Sequence, residues 1–270
     1  MALVTSFRMY NAVPDAARAW RALFERVYAQ IGAEVEFIEH GFPKPIDSLW
    51  REPELFGAFM CGWPFTRAER AMQAIVAPVP SPARYQGMPR YCSDFLARGS
   101  SGWTRLEDAF GHRFGWMAAD SQSGFNAPRA YLSQFVSPRR SRLFLESKGP
   151  FMTPAKTLEA LKAGEVDLIA LDSYHLDLMR HHEPRRLDDI QHLTSTPWTP
   201  IPLLVAAPQV DSAAVERLRG LLLELHSRPD YRPLLDDVLV ARFVIPDLPT
   251  YSQLEEMSQL AASRHYPLVE

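Results

Sequence analysis

Cysteine is scarce: Cys61 and Cys92 are the only two in 270 residues, which excludes a small disulfide-stapled scaffold and leaves a single bridge between them open. Long apolar runs are missing too. Nowhere do about 18 uncharged apolar residues follow one another, so no membrane-spanning helix is expected. The segment from Met1 to Tyr10 has neither the basic start nor the apolar stretch of an export signal. As written the chain reads as cytoplasmic, and as periplasmic if a signal was removed before the numbering begins. Neither sign of charge dominates: 29 Lys and Arg against 32 Asp and Glu leave a formal charge of -3, and so no general field to draw in nucleic acid. What is present, 47% hydrophobic and 23% charged residues, rules out disorder, collagen and coiled coil and suffices for one large or two modest cores.

The first elements read as strand, helix, strand. Leu3 to Met9 is a short buried strand, Asp15 is placed to cap a helix, and Trp20, Leu23, Phe24, Val27, Tyr28 and Ile31 recur at three- and four-residue spacing up to Gly32. A strand follows at 34–38. This order favours a parallel sheet, because a crossover helix is the usual connection between parallel neighbours. Leu55 to Met60 leads into the tight loop Cys61-Gly62-Trp63-Pro64-Phe65, and after a proline-rich stretch residues 90–98 form a crossing strand.

A second α/β series begins at Thr104, whose spacing to Glu107 is that of a capping box. Strands are expected at 114–119, 143–146, 166–171 and 190–193, with helices from Ala127 to Phe135, from Thr153-Pro154 to Gly164, and again beyond Asp172. Past a second proline-marked passage at 196–202 come a strand at 203–206, a long helix from Ser212 to Leu225 and two smaller helical stretches around Val244. Two α/β blocks joined by two extended passages make a two-lobed protein: residues 1–92 and 199–270 as a discontinuous lobe one, 93–198 as lobe two, and a ligand cleft between them.

The stretch with most chemical content is Ser121-Gln122-Ser123-Gly124-Phe125-Asn126, lying between a strand's carboxyl end and a helix's start. Free amides and the helix dipole favour an anion there, although a serine that merely caps the helix explains the same pattern. The stretch is not a nucleophile elbow, and no acid and base are spaced to complete a triad. Tyr10, Trp63, Tyr91 and Trp198 fall at strand ends or crossovers, where an aromatic lines a cleft or joins a core. Asp172 caps the next helix or meets a ligand. His175 and His182, seven apart with Asp172 close by, have a spacing that could hold a metal, but an exposed polar helix face accounts for it, and no metal or cofactor is expected. Arg139, Arg140 and Arg142 read as a solvated loop.

In this order the motifs resemble a known family. Met9-Tyr10-Asn11 is similar to an opening strand with a cleft tyrosine, Cys61-Gly62-Trp63-Pro64 to a C-G-Y-P loop, Arg90-Tyr91-Cys92-Ser93-Asp94 to a Y-x-S crossover, and Leu106 to Gly111 to an L-x-D-L-x-G helix. Asp120 to Asn126 resembles an S-x-S-G-[YF]-N anion loop, and Gly164 to Asp172 a G-x-A-D-x-A-x-x-D strand. The family is that of the substrate-binding proteins of phosphate, phosphite and phosphonate ABC importers, with the type II periplasmic-binding-protein fold.

The resemblance implies two mixed sheets flanked by helices and joined by two crossovers. It further implies a small anionic or zwitterionic ligand, and an importer permease as partner or a sensing role in its place. The implied ligand contacts are Tyr10, Trp63, Tyr91, Ser93, Ser121, Gln122, Ser123, Asp172 and Trp198. A monomer or weak dimer is expected, and an enzyme on the same fold, acting on a small phosphorylated or carboxylated metabolite, is the alternative. One departure stands out. Where many members carry a glycine-histidine element, this chain has Ser147-Lys148-Gly149-Pro150-Phe151, so a ligand with a larger apolar portion is expected to bind better than bare phosphate.

A hinge between two lobes predicts that ligand compacts the molecule. Small-angle scattering with and without saturating ligand reads this as a fall in radius of gyration; an unchanged radius with binding confirmed contradicts it.

Overall fold

The computed structural model describes residues 2–268. The strands are β1 (Leu3–Ser6), β2 (Val35–Phe37), β3 (Leu55–Met60), β4 (Gln73–Pro80), β5 (Arg90–Tyr91), β6 (Ser93–Arg98), β7 (Arg113–Gly115), β8 (Glu146–Lys148), β9 (Leu168–Asp172), β10 (Ile190–Ser195), β11 (Thr199–Pro200), β12 (Leu203–Ala206) and β13 (Val240–Val244). The α-helices are α1 (Pro14–Gln30), α2 (Ile46–Trp50), α3 (Gly62–Thr66), α4 (Ala127–Leu132), α5 (Pro154–Lys162), α6 (Ser173–His182), α7 (Ser212–Glu224), α8 (Arg232–Asp237) and α9 (Gln253–Ser263). Among the described residues no helix is long and apolar enough to cross a membrane.

The chain divides into two compact units. Unit 1 takes in the chain through Arg90, Asp177–Glu183 and Pro200–Leu248; unit 2 takes in Tyr91–Leu176, Pro184–Thr199 and the chain from Pro249 onward. The last segment differs from expectation, which placed everything after residue 199 in lobe one. Its packing explains this: the Leu254 carbonyl accepts from the Asn126 amide at 2.8 Å, the Tyr266 carbonyl accepts from the Arg129 guanidinium at 2.8 Å, and Tyr266 and Leu268 join the core of unit 2.

Unit 1 is a six-stranded sheet in the order β13-β4-β12-β3-β1-β2, with β1 parallel to both β2 and β3 and with β12 and β13 antiparallel to their neighbours. Helix α1 is the crossover between β1 and β2, and its expected apolar stripe is its buried face, with Trp20, Leu23, Phe24 and Val27 fully enclosed. Pro14, not Asp15, opens the helix; Val13 occupies the cap position and Asp15 adds its charge to the first turn, where the dipole favours it. Val240 to Val244 is a strand, correcting the helical expectation around Val244.

Unit 2 is a five-stranded sheet in the order β10-β6-β9-β7-β8. Strands β7, β8 and β9 run parallel, while β6 is antiparallel to β9 and β10. Thr153 caps α5 as expected, accepting from the Lys156 N–H at 3.2 Å, and Gly164, at φ +74°, ends that helical segment in a conformation that favours glycine. The capping box at Thr104 is corrected: Asp108, not Glu107, accepts from the N–H groups of Thr104 and Arg105, both at 2.9 Å. Both cysteines are buried and no disulfide joins them.

An ion-pair cluster joins β6, β7 and the approach to β9. Asp167 accepts from Arg98 at 2.8 Å and from the Arg113 side chain through both oxygens, each at 2.8 Å. Burial alone would raise the Asp167 carboxyl; the hydrogen bonds from Arg113, Arg98 and the Arg113 backbone outweigh it and hold the group well below the usual carboxylate range. A depressed native value makes this contribution fully present above the unfolded value of about 4, and it is lost as pH falls toward the native one. Asp167→Asn is therefore expected to cost on the order of 3 kcal/mol near pH 7, with the gap between variant and wild type closing under acid. Thermal melting across pH checks this, and a gap independent of pH contradicts it.

Candidate ligand-binding site

The strand directions of unit 2 bring four chain segments to one edge of its sheet. Gly115 pairs with Ile169 and Lys148, and Ser93 pairs with Asp172. The carboxyl ends of β7, β8 and β9 and the start of β6 consequently lie together, the edge at which open α/β sheets bind ligands. Antiparallel β10 adds its own end there, since the Thr196 N–H donates to the Ser93 carbonyl at 2.9 Å and the Ser93 N–H donates to the Thr196 hydroxyl at 3.0 Å.

The turn after β7 closes around Ser121. Its hydroxyl accepts from the Gly124 N–H at 2.9 Å and its carbonyl from the Asn126 N–H at 2.9 Å, so the helical run starts as a π-turn over Gln122–Asn126, earlier than the expected Ala127. Ser121 is thus a cap. Ser123 is not: it is buried, and among the described residues its hydroxyl has no hydrogen-bond partner. Gln122 is fully buried, its amide oxygen accepting from Asn126 at 2.8 Å and its amide nitrogen 3.5 Å from the Met257 sulfur. The turn packs against β9 and α9.

Asp172 caps α6, accepting from the N–H groups of Tyr174 at 2.8 Å and His175 at 3.0 Å. Beside it the Ser173 N–H donates to the Cys92 carbonyl and the Cys92 N–H to the Ser173 hydroxyl, locking the β6 and β9 ends together. Ser93 is 1% exposed and its hydroxyl makes no hydrogen bond. Tyr91 is buried, its carbonyl facing the Thr199 hydroxyl at 3.5 Å, and Trp198 is half-buried. Seven of the nine expected contacts therefore lie in unit 2, most of them on this edge. Tyr10 and Trp63 belong to unit 1: Tyr10 is fully buried with its ring 4.9 Å from Phe59, and Trp63 carries the Arg67 guanidinium 4.8 Å above its ring.

The histidine reading needs correction. Residues 173–179 of α6 are all buried, His175 among them, because the helix starts at the sheet edge and runs into the protein instead of presenting a polar face. His182 is half-buried and meets the Asp237 carbonyl at 2.8 Å. Elsewhere Ser195, His192 and Asp94 converge, but Asp94 accepts directly from the serine hydroxyl at 2.7 Å, whereas an acyl-transfer triad interposes the imidazole between carboxylate and nucleophile. Sequence reasoning missed Asn126 and Trp116; Trp116 was placed inside a strand that in fact ends at Gly115.

The sequence profile of the periplasmic substrate-binding proteins of phosphonate ABC transporters matches residues 10–251. The chain belongs to that family. Its members bind substrate for import by ABC transporters, and this chain is a member by its sequence as well as by its α/β architecture. Similar solved structures include a binding-protein component of a phosphonate ABC transporter from Pseudomonas aeruginosa, at 16% identity and TM-score 0.78, covering 98% of this chain and 87% of that one. PhnD1 from Prochlorococcus marinus in complex with methylphosphonate is 17% identical with TM-score 0.76, covering 96% and 97%. XAC2383 from Xanthomonas citri bound to ATP is 17% identical with TM-score 0.64, covering 98% of each chain. No protein of curated function matches the sequence.

The turn is sterically exacting at Gly124, where an added Cβ would stand 2.6 Å from the Met117 Cβ. Gly124→Ala is expected to displace the turn and cost about 1–3 kcal/mol, read as a lowered melting temperature; an unchanged melt contradicts the close approach.

Proposed function

We propose that this protein binds a phosphonate or phosphate-ester anion at the carboxyl edge of the unit 2 sheet, as the substrate-binding component of an importer. The observation that carries the reading is the Ser121–Asn126 turn with the Ser123 hydroxyl inside it, which no group among the described residues engages. A hydroxyl that no protein group engages, in a residue only 6% exposed, is available to donate a charge-assisted hydrogen bond to an anionic oxygen. The turn amides add dipolar attraction without a fixed positive charge, which suits reversible capture. Ser93 supplies a second buried hydroxyl on the same edge. In this proposal Ser121 and Gln122 shape the turn and Asp172 holds the adjacent helix start, while Tyr91 and Trp198 of the same unit border the organic part. Periplasmic residence and a permease partner are part of the same proposal, and the family role supports them. The methylphosphonate held by the Prochlorococcus protein supports the ligand class.

Ser123→Ala is expected to weaken methylphosphonate binding by roughly ten- to hundredfold through one lost charge-assisted bond. Ser123→Asp abolishes it, because a carboxylate then occupies the anion's place. Isothermal titration alongside thermal melting decides: a folded Ser123→Asp protein with unchanged affinity places the anion elsewhere.

A further inference from the structure

Three rings stand beside the anion turn, where β7 and β8 run on past their last paired residues. The Trp116 N–H donates to the Lys148 carbonyl at 2.9 Å, and the Phe151 N–H donates to the Trp116 carbonyl at 3.2 Å, so the two chains stay side by side. Two glycines make room for two of the rings. A Cβ on Gly149 would lie 2.8 Å from the indole of Trp116, and one on Gly115 would lie 3.2 Å from the ring of Phe151. Phe125, in the turn itself, meets Trp116 edge-on at 5.6 Å between centroids. Phe125 and Phe151 are half-buried, whereas Trp116 is 8% exposed.

Packing alone does not require an indole at this position. The Trp116 Nε1 is buried and has no hydrogen-bond partner, and an unmet buried donor costs free energy that phenylalanine would not incur. The same edge holds the unpartnered Ser93 hydroxyl and Asn126 Oδ1. Resting on the anion-binding reading above, we infer that Trp116, Phe125 and Phe151 form the specificity subsite of this protein, selecting phosphonates or phosphate monoesters that carry an aromatic or similarly flat apolar group. The rings face that group, and the indole N–H donates to an acceptor on the ligand. Apolar area buried on the ring wall raises affinity for such ligands over methylphosphonate.

Calorimetric titration with phenylphosphonate, methylphosphonate and inorganic phosphate tests this. Wild type is expected to bind phenylphosphonate at least about tenfold more tightly than methylphosphonate. Phe151→Ala lowers the phenylphosphonate affinity more than the methylphosphonate affinity, shrinking the preference. Trp116→Phe weakens phenylphosphonate by about tenfold while the ligand-free protein melts at the same temperature or higher, because an unmet donor has been removed. Methylphosphonate or phosphate binding as tightly as phenylphosphonate overturns the subsite and leaves the anion site standing. Binding of none of the three by folded wild type overturns the anion reading and the subsite with it. A Trp116→Phe protein that melts lower with affinity unchanged makes the indole structural and overturns its donor role.

Discussion

One amide nitrogen holds the turn at 121–126 from two sides. Asn126 Nδ2 donates to the Gln122 side chain within the turn and to the Leu254 carbonyl in the C-terminal segment, both at 2.8 Å. The first bond shapes the π-turn; the second ties it to a stretch of chain 128 residues away. Because Ser121 caps the same turn through Gly124, the Ser123 hydroxyl is left over for other use. In the proposed site, a turn held in this way lowers the ordering cost of binding, since its donors need no rearrangement to meet an anion.

Around that turn the sheet's directions do the rest. Parallel β7, β8 and β9 and antiparallel β6 deliver their loops to a common edge, and buried polar atoms without partners gather there at Ser93, Trp116 and Asn126. Natural interiors satisfy the great majority of buried polar groups. Three exceptions in unit 2, at Ser93, Trp116 and Asn126, are the feature on which the proposed site rests. The family membership gives the same role from an independent direction.

Local chemistry was legible in the sequence and tertiary partnership was not. The α1 stripe, the helix start at Thr153-Pro154 and the turn at Ser121 that opens a helix each depend on residues within a few positions of one another, and each was read from the sequence. The segment around Val244 was read as helical although Val240 and Val244 are β-branched; only the pairing of Val240 to Val244 with β4 settles the matter. The two-block organisation followed from the proline-marked passages, but the placement of residues after 249 turns on bonds to Asn126 and Arg129 that no spacing reveals. Gln122 looked like a ligand contact because it sits in the motif; its amide instead serves Asn126 and Met257. Trp116 was passed over because an indole without a partner is visible only once its surroundings are known.

The central claim is that the turn at 121–126 and the facing ends of β6 and β9 are where the ligand sits. Hydrogen–deuterium exchange of the intact protein with and without saturating phenylphosphonate, saturation being set by calorimetry, measures this directly. The account predicts slowed exchange at amides 121–126 together with the segments around Ser93 and Asp172. Slowed exchange confined to other segments, with amides 121–126 exchanging at the same rate, would contradict it.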